Sequence, residues 1–342
     1  LYTLTATDGR AGRLSLSADS IDLTGVTLSS NASGSGRGGD ITVQANALTA
    51  DSAYLITQSY GTGSGGDIAI NAPQMKLGGS LAFAGSSASG TPGNVVLRGD
   101  LISLNGGSYG SSPGLGSPSG NLTVTADTSL EAFGTFFAAV AATDNSVGTI
   151  SISSPRIYFS QVFLNSESDG AGAAGVLSIQ GKSLTLDRSQ IHAVSKGVFV
   201  RQLGLVQLTG TDDLLINNSL LDSTSEGQAQ GGTISIEGGK VTLNEDLITA
   251  NSNGDGRGGQ VSVKADVLRV SNSQLTSKSV VSGDAGDVML DARLITLDTA
   301  TEVSSETLSL DGNAGSVTIK GGEVVLEDAK ISSKTSGGNG HA

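Results

Sequence analysis

Residues 38–64 read GGDITVQANALTADSAYLITQSYGTGS, and at residue 65 the phrase starts again as GGDIAI. Ile41 and Val43 flank Thr42, the two-residue period of a strand with one buried face. Counted from the second glycine of the phrase, the pattern Gly-x-aliphatic-x-aliphatic returns along the whole chain. Its anchors are Gly12, Gly39, Gly66, Gly93, Gly120, Gly148, Gly175, Gly204, Gly232, Gly259, Gly286 and Gly315, spaced 27 to 29 residues apart. Every residue two and four places after an anchor is Leu, Ile or Val. A second apolar pair follows, as in Ile21/Leu23 and Ile102/Leu104. A third has a small second member, as in Leu55/Thr57 and Ile191/Ala193. Gly/Ser-rich stretches such as 251–259 (NSNGDGRGG) lead back to the next anchor.

Short one-faced strands cannot enclose a core alone, but stacked on the next turn they bury a continuous aliphatic column. The expected fold is all-β: a right-handed parallel β-helix of about twelve coils of about 27 residues, with three strands per coil. At about 4.8 Å per coil, this predicts a rod roughly 58 Å long. No stretch sustains the apolar spacing of a helix. Residues 1–342 read as a single β-helix repeat domain. Neither end reads as a polar or amphipathic cap, so the expectation is a segment of a longer rod. Asp51, Asn105, Asp187 and Asn244 stand at one register after the second strand, where short polar residues suit a corner. The anchor glycine is expected either to supply a positive φ or to let adjacent coils approach closely.

Composition removes several function classes. The 342 residues carry 19 Lys and Arg against 32 Asp and Glu, a net charge of −13, which disfavours wrapping nucleic-acid phosphates. There is no Cys, hence no disulfide, thiolate nucleophile or Cys-ligated metal. No apolar run approaches the length of a membrane span. No cofactor is implied.

The blocks at 38–43 (GGDITV), 65–70 (GGDIAI), 231–236 (GGTISI) and 258–263 (GGQVSV), each followed by A-x-x-L-x-L-like strands, carry a family resemblance. The chain resembles the filamentous-haemagglutinin-type exoproteins, large bacterial surface proteins of two-partner secretion, including the Gly-rich versions common in cyanobacteria. The resemblance covers nearly the whole chain. The family's N-terminal secretion domain, with its Asn-Pro-Asn motif, has no counterpart in this sequence, so the part resembled is the stalk downstream. The resemblance implies export as an unfolded chain through an outer-membrane partner, a location that is extracellular or on the outer cell surface, and an adhesive or scaffolding role. Absence of Cys is compatible with such threading.

The function expected on these grounds is a non-catalytic structural rod of a secreted or cell-surface bacterial filament or adhesin. Its partners would be other copies or segments of the same filament, surface glycans, or proteins of host or neighbouring cells. The rival is a polysaccharide-binding or polysaccharide-processing β-helix module, which needs clustered carboxylates. Asp212-Asp213 and Glu245-Asp246 are the best acidic pairs, and both read as turn residues flanking the second strand. The outward column of the first strand (Ser15, Thr42, Ala69, Val96, Thr123) carries no acid or base. His192 alternates with Ile191 and Ala193 and should point outward. Asp40, Asp67 and Asp287 follow Gly-Gly, but their 27-residue spacing does not fit the nonapeptide Ca²⁺ repeat, so turn formation is expected. The tripeptide Arg98-Gly99-Asp100 falls in a short turn rather than a protruding loop. Aromatics cluster in the middle coils; several fall at inward positions, while Phe133 and Tyr158 are candidates for stacking on a glycan. The segment 195–203 turns apolar where other coils are polar, which makes Val198, Phe199 and Val200 candidates for a lateral protein contact.

Overall fold

A computed structural model describes residues 1–5, 8–87, 89–112, 119–141, 147–170, 174–197, 204–336 and 340–341. The described residues are all strand, turn and loop, with no helix among them. Parallel strands stack as a β-solenoid of about twelve coils of about 27 residues. The chain divides into two compact units, Leu1–Gly170 and Ala171–Ala342.

In the first unit, the aliphatic columns of the repeat are in register from coil to coil. Ile41 pairs with Ile68, and Ile68 with Val95; Val43 pairs with Ile70, and Ile70 with Leu97. The column continues through Leu122 and Ile150. All of these are essentially sealed from solvent. The second unit repeats the arrangement, with Val206, Ile234, Val261 and Val288 aligned and fully buried. Each buried aliphatic side chain contributes roughly 1.5–3 kcal/mol. Stacking neighbours, rather than any single coil, therefore holds the structure together.

The three apolar segments of each coil are all present, but the first two are joined. Ile41–Asp51 and Val95–Asn105 are single bent strands that span both segments. The join is interrupted in the coils that carry proline at the bend. Pro73 separates Ile68–Asn71 from Gln74–Gly78, and Pro155 separates Ile150–Ser153 from Arg156–Ser160. Proline has no N–H to give to the ladder, so pairing stops there. Coils with an extra residue absorb it at the same bend as an irregularity in register, between Ala126 and Ser129 and between Gly210 and Asp213.

Of the two roles open to the anchor glycine, close approach is the one observed. A Cβ on Gly66 would lie 2.1 Å from the carbonyl oxygen of Gly39, and one on Gly93 would lie 2.0 Å from that of Gly66. The positive φ falls instead at the corner after the second segment, on whatever residue occupies it: Ser52 (54°), Gly134 (53°), Arg188 (47°) and Glu245 (58°). The small second member of the third segment is buried in coil after coil, and where it is a serine it can bond an anchor carbonyl. Ser30 Oγ donates to the Gly12 carbonyl at 2.6 Å, and Ser277 Oγ donates to that of Gly259 at 2.7 Å. In these two coils the corner closes on a hydroxyl that fills the narrow space and satisfies a buried carbonyl.

Candidate functional site

The acidic residues after the paired glycines are rungs of a ladder. The Asp40 carboxylate accepts the backbone N–H of Asp67 at 3.1 Å, Asp67 accepts that of Asn94 at 2.8 Å, and the Asn94 amide oxygen accepts that of Asn121 at 3.0 Å. In the second unit Asp287 accepts the N–H of Ser316 at 2.8 Å. Arg37 bridges Asp40 and Asp67 at 3.1 and 2.9 Å. These oxygens do what strand carbonyls do elsewhere, as the sequence reading of a turn role anticipates. Among the described residues, no group of three His, Asp or Glu is placed to hold a metal ion.

The two acidic pairs do not meet. Asp212 and Asp213 are exposed, with Asp212 in the register irregularity and Asp213 opposite Ser183 and Lys240. Lys240 and Glu245 are five residues apart on the neighbouring coil, about 16 Å along an extended chain. Within the other pair the side chains part company: Glu245 is exposed at the positive-φ corner, while Asp246 is turned inward and 3% exposed. Asp246 occupies a column of buried hydroxyls. Ser219 Oγ donates to the Asn217 carbonyl at 2.9 Å, and Ser273 Oγ donates to that of Ser271 at 2.7 Å. The carboxylate accepts the N–H groups of Ser219 and Asn244, each at 2.9 Å. Burial pushes its pKa up to about 7; those two hydrogen bonds pull against the shift, and the charge of Glu245 adds to it. A turn role holds for Glu245, whereas Asp246 is a buried acid in a serine's place.

His192 lies half-exposed on the outer face, as its alternation predicts, with Nδ1 3.6 Å from the Asp222 carboxylate of the next coil. Asp222 also accepts the Thr249 hydroxyl at 3.1 Å and that of Thr224.

The aromatic cluster is split between inside and outside. Tyr109, Phe137 and Phe159 are fully buried and stack through centroid distances of 5.9 and 6.0 Å. Phe133 and Tyr158 are 37% and 40% exposed. They stand beside each other on adjacent coils, 5.6 Å between centroids and tilted by 49°. A third pair, Phe136 and Phe163, stacks nearly parallel at 5.3 Å on the outer side of the next segment. The candidates Val198, Phe199 and Val200 lie outside the described residues.

A groove of about 690 Å³ runs along the bend between the first two segments of the first unit. Ala45, Ala72 and Gly99 form its buried floor. One rim carries Ser17, Gln44, Asn71 and Arg98; the other carries Asp19, Asn46, Pro73, Asp100 and Asp127. Arg98-Gly99-Asp100 therefore crosses the groove inside the strand Val95–Asn105, with Gly99 as floor, and does not protrude. The outward column three residues after each anchor does not line this groove. The rims are the columns five and seven residues after the anchors Gly12, Gly39, Gly66 and Gly93, extended by Asp127 seven residues after Gly120, and most of their side chains are amides, carboxylates or a guanidinium.

Comparisons with family models, with curated proteins and with solved structures give no match for this chain.

Proposed function

We propose that the chain is a non-catalytic structural segment of a secreted or cell-surface bacterial filament or adhesin, of the kind its repeats resemble. One observation carries this reading: the repeated polar side chains are spent on joining one coil to the next. The carboxylates of Asp40, Asp67 and Asp287 hold backbone N–H groups of the following coil. Asn217 and Asn244 bond side chain to side chain at 2.8 Å. Lys330–Glu302 and Lys334–Glu306 tie exposed faces at 2.8 and 3.1 Å. A chain whose polar groups are used in this way is built for length and stiffness rather than turnover. The rival reading predicts depolymerisation of glycans. Incubation of purified protein with pectin, alginate and neutral glucans should yield neither new reducing ends nor unsaturated products. Turnover that disappears on replacing Asp213, Asp100 or Asp127 would establish the enzymatic reading instead.

A further inference from the structure

The groove of the first unit departs from the habit of the rest of the chain. On other faces several polar rungs satisfy one another, as Asp40, Asp67 and Asn94 do. In the groove, among the described residues, the side chains of Gln44, Asn71, Arg98, Asp100 and Asp127 make no hydrogen bond or ion pair; Asn46 alone reaches Asp19, at 3.1 Å. The same bend of the second unit provides an internal comparison. There the corresponding column bears Glu237, Lys264, Asp291 and Lys320, and these pair in turn, Glu237 with Lys264 and Asp291 with Lys320, each at 3.7 Å. The groove at that bend is smaller, about 430 Å³. In the second unit that column pairs its charges, although Asp266 on the opposite rim does not, whereas in the first unit amides, carboxylates and a guanidinium face an open channel on both rims.

We infer that this groove binds an extended, uncharged glycan chain, a neutral hexose polymer. The inference goes beyond the structural reading and does not depend on it. Amides both donate and accept, carboxylates accept from neighbouring hydroxyls, and the guanidinium donates. A polyhydroxylated chain is the ligand that answers all three. The rungs recur about every 4.8 Å along the stack, which is on the scale of one sugar ring, so successive sugars can each meet a polar rung. The floor of Ala45, Ala72 and Gly99 leaves room for a ring. It is kept small by the bend itself, since a Cβ on Gly99 would lie 2.2 Å from the Ala72 carbonyl oxygen. Asp19, Asp100 and Asp127 against Arg98 give the rims a net negative charge, which disfavours uronate polymers and phosphates. An extended peptide would want an unpaired strand edge or apolar pockets. The strands lining the centre of the groove, Ile68–Asn71, Gln74–Gly78 and Val95–Asn105, are paired on both sides.

Calorimetric titration of the whole chain tests this with four probes: a neutral glucan hexasaccharide, its disaccharide, a galacturonate hexamer and a serine-rich peptide. The neutral hexasaccharide should bind. The disaccharide should bind at least roughly tenfold more weakly, because it spans fewer rungs. The N71A/D100A double variant should lose roughly tenfold or more in affinity. Both substitutions sit on the rims, so the melting temperature should stay within a few degrees of the parent's. A pairing variant, Asn71→Glu, which places a carboxylate beside Arg98 as in the second unit, should weaken binding in the same way. Failure of the hexasaccharide to bind, preference for the galacturonate or the peptide, or undiminished binding by both variants would overturn the assignment.

Discussion

Gly66→Ala is expected to destabilise the first unit by at least about 3 kcal/mol, the upper range for forcing atoms into a packed site. The added Cβ would meet the Gly39 carbonyl oxygen at 2.1 Å and its carbon at 2.5 Å. Both contacts are backbone, and the anchor lies at the start of the aliphatic ladder through Ile68 and Ile70. Neither partner is a flexible side-chain end, so relief requires the coils to separate, and separation would uncover that ladder. Gly134→Ala supplies the contrast. Gly134 sits at a corner with φ 53° and nothing within 4 Å of its Cβ position. Its cost is the left-handed conformation alone, roughly 1–2 kcal/mol. Urea denaturation followed by circular dichroism should rank the two well apart. Equal, small losses would mean that the anchors are not the points of closest approach.

Asp246→Ser is expected to change how stability depends on pH. The folded pKa of Asp246, about 7, stands above the ordinary aspartate value of 3.8. Its contribution is therefore fully present below about pH 4 and is lost as pH rises through about 7. The loss amounts to about 4 kcal/mol over that window, at about 1.4 kcal/mol per pKa unit. Serine would restore the rung seen at Ser219 and Ser273, donating to the carbonyl two residues before it and carrying no charge. The stability of the variant relative to the parent should thus rise by about 4 kcal/mol between pH 4 and pH 8. Other carboxylates titrate in both proteins, so the difference isolates Asp246. A difference that is flat with pH would contradict a buried, proton-binding Asp246.

The sequence shows the fold clearly where one face of a strand is sealed. Ile41, Ile68 and Val95 are legible as a column because burial admits only aliphatics there. The corner is less legible. Its positive φ falls on Arg188, Gln161 and Glu245 as well as on glycine, and those residue types do not signal a left-handed conformation. The bend between the first two segments depends on backbone hydrogen bonding, which the apolar pattern does not report; Pro73 and Pro155 mark the places where it breaks. Asp246 is visible in the sequence only as a break in the column Ser219, Asp246, Ser273. Its burial follows from Glu245 taking the outward corner, which the spacing of the pair does not reveal. The period locates the groove rims, but the residues that fill them differ from coil to coil. Concavity and unpaired side chains are properties of the stacked coils, which no single repeat displays. The aromatic reading holds inside, for Phe137 and Phe159, which the structure joins to Tyr109. Outside, the structure brings Phe133 and Tyr158 together.

The proposed role is tested most directly on the cells that make the protein. Antibodies raised against the folded chain should label the outer surface of intact, unpermeabilised cells by immunogold electron microscopy, and brief protease treatment of those cells should remove the label. Label that appears only after permeabilisation, and survives the protease, would contradict a structural role at the cell surface.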